Sequence, residues 1–85
     1  MNNRYKLSNK MIKDALEIIP LGSQTFSKSI ASYPRGISPL FIKKGYGSHV
    51  WDVDDNEYID FVNGLASVTL GYNDSEVNAS IVKQL

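Results

Sequence analysis

The sequence contains no cysteine, which excludes disulfides and thiolate-held metal sites. It also lacks any apolar run near the roughly 20 residues that span a bilayer, and its first ten residues lack the apolar stretch of a signal peptide. Neither sign of charge is in excess, because nine Lys and Arg balance nine Asp and Glu. We therefore expect a cytoplasmic protein with neither a membrane nor a nucleic-acid partner.

The length and composition allow one small folded unit. The chain has 85 residues, of which 42% are hydrophobic and 21% charged. A chain of this length buries a smaller share of its surface than a typical domain, so its stability margin is thin. Hydrophobic periodicity and turn residues predict an α+β chain in four segments: a helix in residues 1–22, an arm in 23–38, a β-meander in 39–62, and a loop with the start of a helix in 63–85.

The first segment has the pattern of an amphipathic helix. From Ser8 to Ile19 the apolar residues recur at helical spacing, with lysines and acids on the other face. Ser8 is a candidate N-cap, and Pro20 with Gly22 ends the helix. The following "GSQTFSKSIASYPRGIS" shows neither helical nor strand periodicity. A connection this long is typical of a disordered tether or a functional loop, and the residues alone do not separate the two.

Three short runs separated by turn residues predict a three-stranded antiparallel meander: "LFIKK", "SHVWDV" and "EYIDFV". By the period of two, Trp51 and Val53 share one face of the second strand, and Ile59 and Phe61 share one face of the third. We expect these apolar faces to point inward.

The acidic residues between the second and third strands suggest either a calcium loop or a turn. Asp52, Asp54 and Asn56 have the first three ligand spacings of a calcium loop, but Glu57 and Asn63 stand where Gly and Glu are required. Asp and Asn favour turns, because they tolerate positive φ and bond their own backbone. The sequence therefore favours a hairpin turn.

A second helix is predicted near the end of the sequence. Asn73 is a candidate N-cap with Glu76 as its capping-box partner, and the apolar side chains at 77, 81, 82 and 85 form one stripe. No Gly or Pro ends this helix by Leu85, so we expect the natural helix to continue beyond it.

No catalytic centre is evident in the residues themselves. His49 is the sole histidine, and as a strand residue it is more typical of a half-buried sheet position than of a general base. The glycines form neither a dinucleotide fingerprint nor a phosphate loop. Lys43 and Lys44 are interpreted as solvated edge-strand residues.

The order of "IPLGSQTFSKS", "SPLFIKKGYGSHVWDVDDNEYIDFVNG" and "LGYNDSEVNASI" resembles the N-terminal part of the class III aminotransferases, in the branch that contains glutamate-semialdehyde aminomutase. These are pyridoxal-phosphate (PLP) enzymes of fold type I. The resemblance covers residues from about Lys10 to Leu85. It implies that the helix, arm and meander belong to the small domain, and that the last helix leads into the PLP domain.

The resemblance also implies a role for the arm, which lines the substrate pocket at a homodimer interface in the relatives. Thr25 and Lys28 match a Ser and an Arg that hold the substrate carboxylate there. The complete enzyme is expected to use PLP to move an amino group between small molecules, with small carbonyl compounds as acceptors. The Schiff-base lysine, the pyridine aspartate and the phosphate turn lie downstream in the family. No cofactor or metal is therefore expected for this chain alone.

The sequence departs from the family pattern at several positions. Lys28 offers a point charge where Arg offers a bidentate fork. Leu65 stands where the aminomutase has Trp, so glutamate semialdehyde is not the expected substrate. Asp55 replaces a hairpin Gly, and "LGYNDS" replaces the motif L-G-H-x-H-P. The alternative function is a stand-alone interaction module that grips a partner through Tyr46 and Trp51.

Overall fold

The computed structural model describes residues 4–85. Its helices are α1 (Lys6–Ile18), a single turn α2 (Asn63–Ala66) and α3 (Ser75–Gln84). Its strands are β1 (Ile42–Tyr46), β2 (His49–Asp52) and β3 (Glu57–Ile59). Two 3-10 turns, Pro20–Gly22 and Phe26–Lys28, lie between α1 and the sheet. The predicted order of helix, arm, meander and helix is confirmed.

The three strands form one antiparallel sheet in the order β1-β2-β3. Tyr46 pairs with His49 across a two-residue hairpin, and Trp51 pairs with Glu57 across the next. The second hairpin contains the acidic residues, and Asp55 has a positive φ of 67° there. The N–H of Asp55 donates to the carbonyl of Asp52 at 3.1 Å, which closes the turn. The turn prediction is confirmed.

The predicted inward face of the sheet is wrong. Val50 and Asp52 are the buried residues of β2, at 8% and 0% exposure, whereas Trp51 is half-buried on the opposite side. In β3 and just after it, Ile59 and Phe61 are exposed. A shift of one residue exchanges the two faces of a strand. The sheet therefore turns Val50, Asp52 and Tyr58 toward α1 and the arm.

Helix α1 ends where expected but begins earlier than predicted. Ile19, the residue before Pro20, is extended (φ −127°, ψ 120°), as the proline ring requires of its predecessor. At the other end the N-cap position is Tyr5, so Ser8 is not the cap. Ser8 is instead the third residue of the helix and is fully buried.

Helix α3 begins one residue later than predicted. Asp74 is the N-cap, and its Oδ1 accepts from the N–H of Val77 at 3.0 Å. Asn73 has a positive φ of 58° and precedes the cap. Within residues 4–85 the buried apolar residues are Tyr5, Ile12 and Val50, and none of them lies in α3.

The chain is extended for its length. Its radius of gyration is 14.4 Å, whereas a compact chain of this length has a value of about 12 Å. Its accessible surface is 6526 Å², against about 5,000 Å² for a compact monomer of 9.5 kDa. Much of the apolar surface in residues 4–85 is therefore exposed to solvent. No helix in residues 4–85 has both the length and the apolar character that crossing a bilayer requires.

Candidate functional site

A groove lies between the arm, the inward face of the sheet and the segment after β3. Its volume is about 590 Å³, within the range of about 300–1,000 Å³ typical of small-molecule sites. Lys28 and Tyr33 contribute from the arm, Val50 and Tyr58 from the sheet, and Tyr72 from the segment before α3. The groove thus combines apolar walls with a few polar side chains.

The two sequence-predicted site residues lie on either side of one 3-10 turn. Lys28 is the last residue of the turn Phe26–Lys28, is exposed, and lines the groove. Thr25 precedes the turn in an extended conformation (φ −132°, ψ 146°), is also exposed, and is not among the groove-lining residues of the described chain. The structure therefore brings Lys28, but not Thr25, to the groove.

Asp52 is the centre of a hydrogen-bond cluster that reaches the groove through Tyr58. Its Oδ1 accepts from the N–H of Asp54 at 3.0 Å and of Asn56 at 2.8 Å. Its Oδ2 accepts from the side-chain amide of Asn56 at 2.9 Å and the hydroxyl of Tyr58 at 2.8 Å. Four donors satisfy a carboxylate that has no exposed surface, which burial of a charge requires.

These bonds set the ionisation of the cluster. Burial by itself raises the pKa of Asp52, but the hydrogen bonds from Asn56, Tyr58 and the Asp54 N–H outweigh it and lower that pKa. Burial and the bond to Asp52 raise the pKa of Tyr58. Tyr58 therefore faces the groove as a neutral hydroxyl at neutral pH, with its proton directed to Asp52.

A second carboxylate–tyrosine pair reaches the groove from the other side. The hydroxyl of Tyr72 donates to Oδ2 of Asp60 at 2.6 Å, and Oδ1 of Asp60 accepts from the N–H groups of Val62 and Asn63 at 2.8 and 3.2 Å. The bond from Tyr72 lowers the pKa of Asp60, with the two backbone bonds adding to it against burial. The bond to Asp60, together with burial, raises the pKa of Tyr72 to about 12.

Asp60 and Tyr72 also line a smaller neighbouring cavity of about 420 Å³. This cavity includes Gly47 and Gly71, whose backbones meet because Tyr72 and Gly47 exchange two hydrogen bonds at 2.8 and 2.9 Å. The pair of Asp60 and Tyr72 thus forms part of the wall between the two spaces.

Tyr72 requires a glycine beneath its ring. A Cβ added at Gly45 would lie 2.6 Å from the Cγ of Tyr72, closer than any real carbon contact. The ring therefore packs directly on the backbone of β1. From the sequence, Tyr72 was noted only as a departure from the family motif, and Tyr58 and Asp60 were not predicted as site residues. The signal available was the spacing of Tyr58 and Asp60, two residues apart and hence on one face of the strand.

No group of three potential metal ligands lies together within residues 4–85. His49 is half-exposed on β2, with its Nδ1 3.1 Å from Oε1 of Glu57. This agrees with its interpretation as an ordinary sheet residue. Lys43 and Lys44 are exposed as predicted; Lys43 pairs with Asp55, and the ammonium of Lys44 lies 4.8 Å from the ring centroid of Trp51.

Comparison with known proteins agrees with the sequence resemblance. A family model described as aminotransferase class-III matches residues 31–85. The glutamate-1-semialdehyde 2,1-aminomutase of Fusobacterium nucleatum subsp. nucleatum is 39% identical over 79 residues, which cover 93% of this chain and 18% of that protein. The chain spans less than a fifth of the length of the curated relatives it matches.

Solved structures show the same fold. An omega-transaminase from Sphaerobacter thermophilus aligns with a TM-score of 0.80 at 23% identity, over 98% of this chain and 19% of that one. The FumI protein of Sphingopyxis sp. MTA144, in its PLP internal aldimine form, aligns with a TM-score of 0.75 at 28% identity, over 98% and 19%. Neither comparison supports the alternative of a stand-alone interaction module.

Proposed function

The chain belongs to the class III aminotransferase family, and from this premise we propose that it forms the N-terminal part of a PLP-dependent aminotransferase or aminomutase. In that enzyme it contributes part of the substrate pocket. The observation that carries this proposal is the position of Lys28, a cation on an apolar groove of about 590 Å³. Small amino acids and oxo acids present both features that such a groove recognises, a carboxylate and a short carbon skeleton.

Lys28 binds the substrate carboxylate in this proposal. A lysine ammonium bonds a carboxylate as a point charge and does not fix its plane, so recognition is less specific than that by an arginine fork. Thr25 lies three residues earlier on the exposed side of the same turn and supplies a hydroxyl to the substrate when the arm meets the rest of the pocket. Tyr58 and Tyr72 stay protonated and shape the polar side of the groove.

The residues of this chain do not fit PLP by themselves. The family's cofactor is held by a lysine in a buried pocket, whereas every lysine that the structure describes is exposed. We propose that PLP is bound only by the longer enzyme, and that the chain's role toward the cofactor is indirect. That the chain alone holds no PLP stays a prediction.

Exposed apolar side chains on α3 and after β3 fit contact with the rest of such an enzyme. Val77, Ile81 and Val82 of α3 are 41%, 52% and 70% exposed, and Phe61 is 91% exposed. Leaving this area in water is unfavourable. We propose that these side chains are covered by the remaining part of the enzyme in a homodimer. The cytoplasmic location also stays a prediction.

A chimera tests the proposed function. This chain replaces the matching segment of the Fusobacterium nucleatum aminomutase. Turnover of amino donors and oxo acceptors is measured, and PLP binding is followed by its absorbance. Lys28→Ala is expected to raise KM for a carboxylate substrate at least about tenfold, because a hydrogen bond to a charged group contributes about 1.5–3 kcal/mol. Thr25→Ala is expected to raise it several-fold.

The matched control is Lys13→Ala, which removes an exposed lysine on α1. It is expected to leave KM unchanged. A chimera that binds PLP but shows the same KM with and without the Lys28 ammonium would contradict the substrate role of Lys28. A chimera that folds and never binds PLP would contradict the wider proposal.

A further inference from the structure

The first turn of α1 is capped by a residue far away in the sequence. The N–H of Leu7 donates to Oδ1 of Asp54 at 2.6 Å, and the N–H of Ser8 donates to Oδ2 at 2.9 Å. These are two of the four amides that a helix leaves without an internal partner. The N-cap residue itself, Tyr5, makes no side-chain capping bond. The hairpin between β2 and β3 therefore supplies the cap that α1 lacks locally.

The same turn of α1 holds the end of the arm. Oδ1 of Asn9 accepts from the N–H of Gly36 at 3.2 Å, and Oγ of Ser8 accepts from the N–H of Leu40 at 3.3 Å. Gly36 has a positive φ of 84°, so the chain turns at the point where it is held. Ser8 is fully buried, which leaves its hydroxyl little freedom to move.

The middle of the arm is held locally. The hydroxyl of Ser29 donates to the carbonyl of Phe26 at 2.6 Å and accepts from the N–H of Ala31 at 3.2 Å. These bonds keep the turn that ends at Lys28 in shape, but they do not place it relative to the sheet. The bonds to Asn9 and Ser8, which join residues 27 and 32 positions apart, place the end of the arm on α1, including Leu40 of the groove wall.

We infer that Asp54 is a positioning residue for the arm. Its carboxylate fixes the first turn of α1 on the sheet, and the side chains of Ser8 and Asn9 then fix Gly36 and Leu40, and with them the groove wall that includes Lys28. The side-chain amide of Asn56 supports the same turn by donating to the carbonyl of Arg4 at 3.0 Å. The effect of Asp54 on substrate binding rests on the proposed function, whereas its effect on the position of the arm does not.

The test compares Asp54→Ala with Asp55→Asn, which keeps a residue type that tolerates positive φ, in the 85-residue chain. Asp55 is the neighbouring acid, is exposed and pairs with Lys43. Amide hydrogen exchange is followed at Leu7 and Ser8, at Gly36 and Leu40, and at Asp52 in the sheet. Asp54→Ala is expected to speed exchange about tenfold at the first two pairs of amides and to leave Asp52 unchanged. Asp55→Asn is expected to change none of them.

Tryptic cleavage gives a second readout of the arm. The bond after Arg35 precedes the held Gly36, so Asp54→Ala is expected to speed cleavage there, with cleavage after Lys83 as the internal reference. Asn9→Ala is expected to release Gly36 while Leu40 keeps its protection. This separates a specific tether from a general loss of stability, which would affect all of these sites together.

Two results would overturn the inference. One is faster exchange at Leu7 and Ser8 with unchanged exchange at Gly36 and Leu40, because the cap would then not reach the arm. The other is an equal rise at every amide, including Asp52, in both Asp54→Ala and Asp54→Asn, of which the second keeps one acceptor oxygen. None of these readouts depends on activity, so failure of the proposed function leaves them interpretable.

Discussion

Two regions of this chain are held together in different ways. In the first, Asp54 of the hairpin between β2 and β3 accepts from two amides of the first turn of α1, and Ser8 and Asp52, both at 0% exposure, are each hydrogen-bonded within the chain. In the second, residues 60–85, the apolar side chains are largely exposed and α3 buries no residue. The first region is organised by specific bonds within the chain, whereas the apolar side chains of α3 in the second region are not buried by residues 4–85.

The two regions also differ in how their residues with positive φ are held. In the second region all four residues of α2 have positive φ, including Leu65 and Ala66 at 58° and 76°. Such values cost about 1 kcal/mol or more for residues with a Cβ, and they persist when surrounding contacts impose them. In the first region the positive φ of Asp55 is part of a closed hairpin turn. The turn α2 thus carries backbone strain although Leu65 and Ala66 are exposed.

The largest expected effect is that of Asp52→Ala. It leaves the donors of Asn56 and Tyr58 unpaired in a buried place, at a cost of about 3 kcal/mol or more. Because so small a core has little margin, we expect loss of cooperative unfolding of the sheet, measured by Trp51 fluorescence during urea denaturation. The helical circular dichroism of α3 should change little. A stable sheet in Asp52→Ala would contradict the organising role of this carboxylate.

Gly45→Ala is expected to have the next largest effect. The new methyl group displaces the ring of Tyr72 and breaks its bond to Asp60, for a cost of about 1–3 kcal/mol. The measurement is the free energy of unfolding of Gly45→Ala, Tyr72→Ala and the double variant. The double variant should be less destabilised than the sum of the two, since the methyl group then meets no ring. Additive effects would contradict the close packing.

Acid is expected to weaken both regions, because each holds a hydrogen-bonded carboxylate with a lowered pKa, Asp52 in the first and Asp60 in the second. The pKa values of Asp52 and Asp60 lie below the ordinary value of 3.8, so their stabilisation is fully present above that value. It is lost as the pH falls through the lowered values. The unfolding free energy should therefore fall as the pH drops below about 4, and Asp52→Asn should flatten this dependence. If the pH dependence of the unfolding free energy is unchanged in Asp52→Asn, other carboxylates are its cause.

The unfolding free energy is also expected to fall at alkaline pH. Because the pKa of Tyr72 is raised to about 12 from an ordinary 10.0, its stabilisation is present below pH 10 and is lost as the pH rises toward 12. Tyr72→Phe should remove this part of the pH dependence, which absorbance of the tyrosinate can follow directly.

The smallest expected effect is that of Asp74→Ala. Loss of an N-cap costs about 1 kcal/mol, and α3 is only ten residues long. We expect reduced helicity by circular dichroism with no change in the sheet transition. The matched control is Ser75→Ala, which alters the first helical residue and leaves the cap intact. A shift of the sheet transition in Asp74→Ala would mean that the two regions are more strongly coupled than the structure indicates.

Much of the fold could be predicted from local patterns. The periodicity of α1, the turn residues around three short strands and the capping types near residue 74 each act over a few residues, and they predicted the correct elements. The cap of α3 was assigned to Asn73 because two suitable residues are adjacent. Only the backbone, with Asn73 at positive φ, separates them.

The remainder depends on contacts between distant residues. The inward face of the sheet was predicted wrongly because this face holds the buried Asp52. A pattern of apolar side chains does not reveal that four donors surround a carboxylate. Asp54 caps α1 from 46 and 47 residues away, so Ser8 was mistaken for the cap. The candidate site shows the same division: Lys28 was predicted from the resemblance, and its substrate role stays a prediction, whereas the pairing of Asp60 with Tyr72 arises only when the chain folds back.

Residue-resolved amide exchange of the unsubstituted chain tests the division into two regions most directly. The account predicts strong protection at Leu7, Ser8 and Asp52, and exchange close to that of an unstructured peptide throughout α3. Protection in α3 equal to that of the sheet would contradict it, because the chain would then cover its own apolar helix and would form one self-contained cooperative unit.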